Sequence, residues 1–205
     1  MAVWMLFMFA ATLATVQCSW VLSLDMALDS IDDAYVHCTE KMSKLVKEYY
    51  LVREMNTNAK FRNAWCEAQI RAKPGDGLGK EQAVALWVYT SNTVYSDFNR
   101  AVGNGTTVRF GRFASSSWDA NANVKFGDKT CFIIHTKFGA NISKFSVYKQ
   151  EKEVLIPPYE TFRVISVQYR MYNPYLWCEV VYTLKSVGIQ SYLNCALCHK
   201  VNHLY

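Results

Sequence analysis

In the first half of the chain apolar residues recur at helical spacing. Met42, Leu45, Val46 and Tyr49 fall three or four residues apart, which places them on one helical face. Thr39 stands where a side chain would cap the first turn. A second stripe follows at Phe61, Ala64, Trp65 and Ala68, stopped by Pro74 and Gly75, with a glycine-rich turn running to Gly79. Residues 80–89 and 93–102 read as two further helices, which Gly103 and Gly105 end. Beyond residue 106 the pattern changes. Val108 and Phe110, then 131–138, 154–156, 162–169 and 180–184, are short runs of β-branched and aromatic residues divided by Gly, Asn and Pro, the signature of strands. Helices followed by strands predict an α+β fold, with a helical part over about 35–102 and a β part over about 106–190.

The N-terminus adds a compartment to this picture. Residues 1–16 carry no charged side chain, and the first is Asp25. An apolar run of that length matches the core of a secretory signal peptide and is short for a bilayer span. Residues 1–18 are therefore expected to be a signal peptide, although no Lys or Arg precedes the run, and 19–205 one domain, secreted or extracellular. The other reading of the run is a buried core helix, which would normally show a polar face. No later stretch could span a membrane, and residues 198–205 carry no anchor signal of the usual form. Seven cysteines, six after cleavage behind Cys18, suit an oxidising compartment, where six allow fifteen pairings. Asn104 and Asn141 head N-x-S/T triplets. A hydrophobic fraction of 51% excludes a disordered chain. The net charge of +5 is scattered rather than interleaved with aromatics, so no nucleic-acid partner is expected.

Two segments carry candidate chemistry. Glu151 and Glu153 precede the apolar run 154–156. In extended backbone, residues i and i+2 point to one side about 7 Å apart, so both carboxylates would face one cleft. One would stabilise an oxocarbenium-like centre while the other orients a nucleophile. Pro157 and Pro158 stiffen the chain just beyond this run. The second segment is FASSS over 113–117, whose hydroxyls suit ribose or phosphate oxygens. Taken alone, Glu-x-Glu is usually a solvated charge cluster, and a serine run a polar turn. Cys195, Cys198 and His199 fit haem-attachment spacing and, with His203, a zinc site. Both patterns are short and common by chance, and no metal is expected. His37 and His135 lack a partner pattern and read as structural.

Taken together, FASSS over 113–117 and EKEVLIPP over 151–158 resemble the vertebrate, especially fish, arginine-specific ecto-mono-ADP-ribosyltransferases. ALDSIDDAY over 27–35 with Cys38, ALWVYTS over 85–91, FNRAV over 98–102, TVRFGRF over 107–113, VYTLKS over 181–186 and SYLNCAL over 191–197 extend the likeness in order. The resemblance implies a helical lobe beside a two-sheet β core of the ADP-ribosyltransferase type. It also implies cleavage of NAD or NADP at the nicotinamide–ribose bond. ADP-ribose would pass to an arginine of a target protein or to a small guanidino compound, without metal. By the same resemblance Glu153 is the catalytic glutamate, Glu151 polarises the acceptor guanidinium, and Ser115 braces Glu153 and contacts the ribose. Ser117 belongs to the same cofactor-binding motif, Phe126 would stack on nicotinamide, and Tyr148 would meet the guanidinium. Cys38 and Cys195 match positions the family pairs.

One part of the family pattern is absent. The family's arginine lies in a Tyr-Arg-Gly strand between the helical lobe and the serine motif, whereas here 98–102 runs almost directly into 105–109. A guanidinium fork suits the phosphate and ribose oxygens of NAD, and losing one such contact weakens binding about ten- to a hundredfold. Arg109 and Arg112 are the nearest substitutes. Cys131 matches a family cysteine whose partner lies in the missing segment, so it is expected to be a free thiol. Two other outcomes stay open: a catalytically impaired secreted binding protein of the same fold, and an NAD glycohydrolase.

Overall fold

A computed structural model of the chain describes residues 25–28, 32–91, 102–193 and 195. The expected signal peptide, the expected helix over 93–102 apart from Val102, and Cys198, His199 and His203 lie outside these residues.

Helix α1 (Thr39–Leu45) passes through a π-helical turn, Val46–Tyr50, into α2 (Leu51–Thr57). Thr39 is not the cap. It is the first helical residue, its hydroxyl donates back to Tyr35 O at 2.6 Å, and Cys38 holds the cap position. The wider π turn takes the three-and-four spacing out of register. Met42 is accordingly buried, while Val46 and Tyr49 remain largely exposed. Helix α3 (Ala59–Arg71) begins at Asn58, whose side chain accepts from Phe61 N at 3.0 Å. Helix α4 (Lys80–Ser91) packs on α3 through buried Ala68, Val84 and Val88, with Phe61, Trp65 and Trp87 at the margin. Ala68 has no side chain to hold the helices apart, and each apolar residue buried at such a seam contributes on the order of 1–3 kcal/mol.

Among the described residues seven strands follow: β1 (Thr107–Val108), β2 (Ala114–Ser117), β3 (Thr130–His135), β4 (Ala140–Asn141), β5 (Glu153–Ile156), β6 (Glu160–Tyr169) and β7 (Val180–Ile189). One sheet runs β1-β6-β7-β3 and the other β2-β5-β4. All pairings are antiparallel except β3 with β7. Ile156 from the smaller sheet joins Val108, Phe162, Val164, Tyr182 and Leu184 from the larger one, with Phe110 between them, so the core lies where the sheets meet. Buried Pro157 and Pro158 carry the chain from β5 across to β6.

Two segments far apart in sequence, 26–38 and 190–195, are fastened to this core. Arg109 is fully buried. Its guanidinium pairs with Asp32 and donates to Met26 O, Ala27 O and Gln190 O, while lying 5.0 Å from the Tyr192 ring centroid. A disulfide joins Cys38 to Cys195 across 157 residues of sequence. By the chain-entropy account a loop that long stabilises the fold by about 4–5 kcal/mol. Cys131 is not a free thiol: it is bonded to Cys178. Parallel pairing sets Thr130 beside Val180, which brings Cys131 against the segment entering β7, so the bond needs no additional strand. Cys66 is exposed and unpaired.

Candidate active site

The site forms where β2 lies antiparallel to β5. Ser117 pairs with Glu153 and Ser115 with Leu155, so Ser115 and Glu153 are diagonal neighbours on one face. Ser115 Oγ donates to Glu153 Oε1 at 2.5 Å. Glu153 is buried, with 6% of its surface exposed, whereas Ser115 reaches solvent. The pair therefore sets an anionic group just beneath an open surface.

Glu151 does not share an extended strand with Glu153. Lys149–Glu151 is a 3-10 turn, Lys152 is left-handed at φ 46° and ψ 51°, and β5 begins only at Glu153. The end of β2 imposes this shape. Ser117 Oγ donates to Glu151 O at 2.5 Å and accepts from Asp119 N at 2.8 Å. Trp118 N donates to Lys152 O at 3.2 Å. Lys152 Nζ reaches the Asp119 carboxylate at 3.1 Å. The backbone N–H of Asn121, then the hydrogen bond and charge of Lys152, hold that carboxyl below its ordinary range. Asp119 also caps the 3-10 turn Ala120–Phe126, which ends on half-exposed Phe126. Tyr148 precedes the turn leading to Glu151, makes no side-chain cap to it, and is about equally exposed.

Tyr89 is a residue that sequence reasoning missed. It lies near the end of α4, and its hydroxyl is 3.2 Å from Ser115 Oγ. Ser115 has one proton, and a carboxylate only accepts, so the Ser115 proton goes to Glu153 and Tyr89 is the donor to Ser115. Next to it, buried Thr90 accepts from Val147 N at 3.2 Å, ahead of the Glu151 turn. A Tyr-Thr pair at a helix end was the one available signal, and it says nothing of which strand the hydroxyls meet.

The two candidate arginines differ. Arg109 spends its donors on Asp32 and on backbone carbonyls and is closed to solvent. It is therefore removed as a substitute for the absent arginine. Arg112 is exposed between β1 and β2. Among the described residues no three His, Cys, Asp or Glu side chains converge as a metal site would require. Cys195 is committed to its disulfide.

A family profile described as "NAD:arginine ADP-ribosyltransferase" matches residues 24–106 and 102–175. Ecto-ADP-ribosyltransferase 5 of Rattus norvegicus is 31% identical over 218 aligned positions, covering 73% of this chain and 69% of the relative. NAD(P)(+)-arginine ADP-ribosyltransferase 1 of Gallus gallus is 29% identical over 70% of this chain and 64% of its own length. Among solved structures, a mutant of the eukaryotic mono-ADP-ribosyltransferase ART2.2 in complex with NAD superposes with a TM-score of 0.64 at 26% identity. That match spans 85% of this chain and 99% of the other.

Proposed function

The chain belongs to the NAD:arginine ADP-ribosyltransferase family, and we propose that its site takes NAD or NADP as co-substrate and transfers ADP-ribose to arginine, releasing nicotinamide. The observation that carries this reading is the hydrogen bond from Ser115 to buried Glu153 at an open surface. In the reaction the bond from the ribose anomeric carbon to the nicotinamide nitrogen breaks, and its electron pair leaves with nicotinamide. Glu153 faces the positive charge that develops on the ribose, in a site where burial strengthens the attraction. Ser115 holds Glu153 in place and contacts the ribose, and Ser117 shapes the cofactor side of the motif. Glu151 accepts a proton from the incoming guanidinium as its nitrogen bonds the anomeric carbon. Tyr148 lies on the acceptor side of that turn, and Phe126 stacks on nicotinamide. The acceptor is a protein arginine or a small guanidino compound.

Residues 19–205 form one such domain in this reading, preceded by a signal peptide, and the chain acts outside the cell. The "ecto" names of its relatives and the two disulfides support that placement. Exposed Asn104 and Asn141 are suited to glycosylation.

A second reading is favoured by the arginine. The family profile matches in two stretches that meet at 102–106, where the arginine-bearing strand would be expected. The alignment to the rat relative runs over 218 positions yet covers only 73% of a 205-residue chain, so dozens of positions face gaps. With Arg109 enclosed, one of the two candidate substitutes for the phosphate fork is lost, which supports weak NAD binding and a catalytically impaired binding protein. Incubation with labelled NAD and agmatine separates the outcomes. ADP-ribosyl-agmatine supports transfer, free ADP-ribose supports a glycohydrolase, and neither product supports the impaired form. Glu151→Ala is expected to keep NAD hydrolysis and lose transfer; equal loss of both would refute the separate roles.

A further inference from the structure

We propose that Tyr89 is a positioning residue for Glu153, acting through Ser115 by fixing the direction of the Ser115 hydroxyl. The proposal rests on the catalytic reading of Glu153. A serine hydroxyl turns freely among staggered positions, and only one of them points its proton at Glu153. Ser115 is open to solvent, so water competes for that proton. Donation from Tyr89 at 3.2 Å occupies a lone pair of Ser115 and leaves the proton for Glu153, 2.5 Å away. The three groups form a chain in which each bond polarises the next.

The anchor of this chain is the helical part. Val84 and Val88 bury one face of α4, and the Tyr89 ring meets Phe113 edge-on at 6.5 Å between centroids. Thr90 ties the same helix end to Val147, on the approach to the Glu151 turn. One helix terminus thus sets both the carboxylate and the loop ahead of it. Burial, with the Glu153 charge adding to it, raises the Tyr89 phenol above its ordinary range against a lowering by its bond to Ser115. At neutral pH the phenol is therefore a donor.

The test is a cycle of Tyr89→Phe, Ser115→Ala and the double variant in the full chain. Phenylalanine keeps the ring against Phe113 and removes only the hydroxyl. With labelled NAD, Y89F is expected to lower kcat about three- to tenfold at unchanged KM, and to add nothing in the S115A background. A second readout needs no turnover: the 13C carboxyl resonance of Glu153, assigned with E153Q. It is expected to move in Y89F and not to move further when Y89F is added to S115A. A resonance unmoved by Y89F, or independent effects of Y89F in both backgrounds, overturns the proposal. A wild-type chain with no NAD turnover defeats the proposed function instead, and the resonance cycle then decides the role of Tyr89 by itself.

Discussion

Glu153 and Glu160 flank the same two prolines, one opening β5 and the other β6, and both are buried. Their surroundings differ. Glu160 accepts from Thr136 Oγ1 at 2.6 Å and from Lys137 N at 2.7 Å, so both oxygens are engaged and the turn ahead of β4 is held. Glu153 accepts from Ser115 through Oε1, and among the described residues its other oxygen receives no hydrogen bond. Burying a carboxylate is costly unless donors replace water. Glu160 has that replacement and acts as a fastening. Glu153 has half of it and stands beside solvent-exposed Ser115, which leaves acceptor capacity for a ligand. Two buried glutamates are thus told apart by which of their oxygens are already used.

Glu153→Gln tests the difference between the two glutamates most directly. Glutamine keeps the size and one acceptor oxygen but not the charge. NAD turnover should fall by about a thousandfold or more, with a melting temperature within about 2 °C of wild type. Assay with labelled NAD beside calorimetry checks both parts. A variant with full rate, or with a large drop in melting temperature, would move Glu153 into the class of Glu160.

Asp32 is a third buried carboxylate and belongs with the fastenings. Burial alone would raise its pKa. Hydrogen bonds from Arg109, the Tyr192 N–H and Ser191, with the Arg109 charge, outweigh that and hold it below its ordinary value of 3.8. A depressed carboxyl stabilises the fold above its unfolded pKa, and that stability is lost as pH falls through the folded value. The Asp32 contribution should therefore be constant from pH 7 to about 5 and decline below about 4. Asp32→Asn leaves the Arg109 charge buried without its counter-ion, at a cost of about 3–5 kcal/mol at pH 7. Urea unfolding at pH 7 and pH 3 should show the gap between wild type and variant narrowing in acid; a constant gap would mean that the charge of Asp32 is not what holds Arg109.

Glu160→Gln should lose less, about 1–3 kcal/mol, because an amide N–H would then face one of the donors that Glu160 now accepts. For a chain of this length that is a fall in melting temperature of about 4–10 °C, with turnover per folded molecule unchanged. Loss of rate without loss of stability would reverse the roles assigned to the two glutamates.

How far the sequence could be read differs between these residues. The longer strands were legible because β-branched and aromatic runs end at glycine and proline, and Ile156, Phe162 and Leu184 do fill the core, whereas the serine-rich β2 and the two-residue β4 carry no such run. The helical stripe at Phe61, Ala64, Trp65 and Ala68 does face α4. The face of α1 was misread because a π turn leaves no mark in the spacing of apolar residues. The glutamate pair was misread geometrically for a related reason. A Lys in the left-handed region between a 3-10 turn and a strand is fixed by contacts from the end of β2, not by its own propensity. Tyr89 and the Cys131–Cys178 bond were hidden because each depends on which distant segments become neighbours. The enclosure of Arg109 was hidden likewise, since its partners Asp32 and Gln190 lie far from it on either side in sequence.

Lys152 tests what separates Glu151 from Glu153. At φ 46° a side chain is strained by about 1–2 kcal/mol, and glycine removes that strain. Lys152→Gly also loses a water-screened surface ion pair with Asp119 and frees the unfolded chain by about 0.5–1 kcal/mol. These contributions nearly cancel, so the melting temperature should stay within about 2 °C of wild type. Glu151 remains pinned by Ser117 through its carbonyl, which the substitution does not touch. The ratio of transfer to hydrolysis, read with agmatine and labelled NAD, should therefore hold within about twofold. A selective tenfold loss of transfer would mean that the Lys152 side chain, and not the grip of β2 on the backbone, sets where Glu151 points.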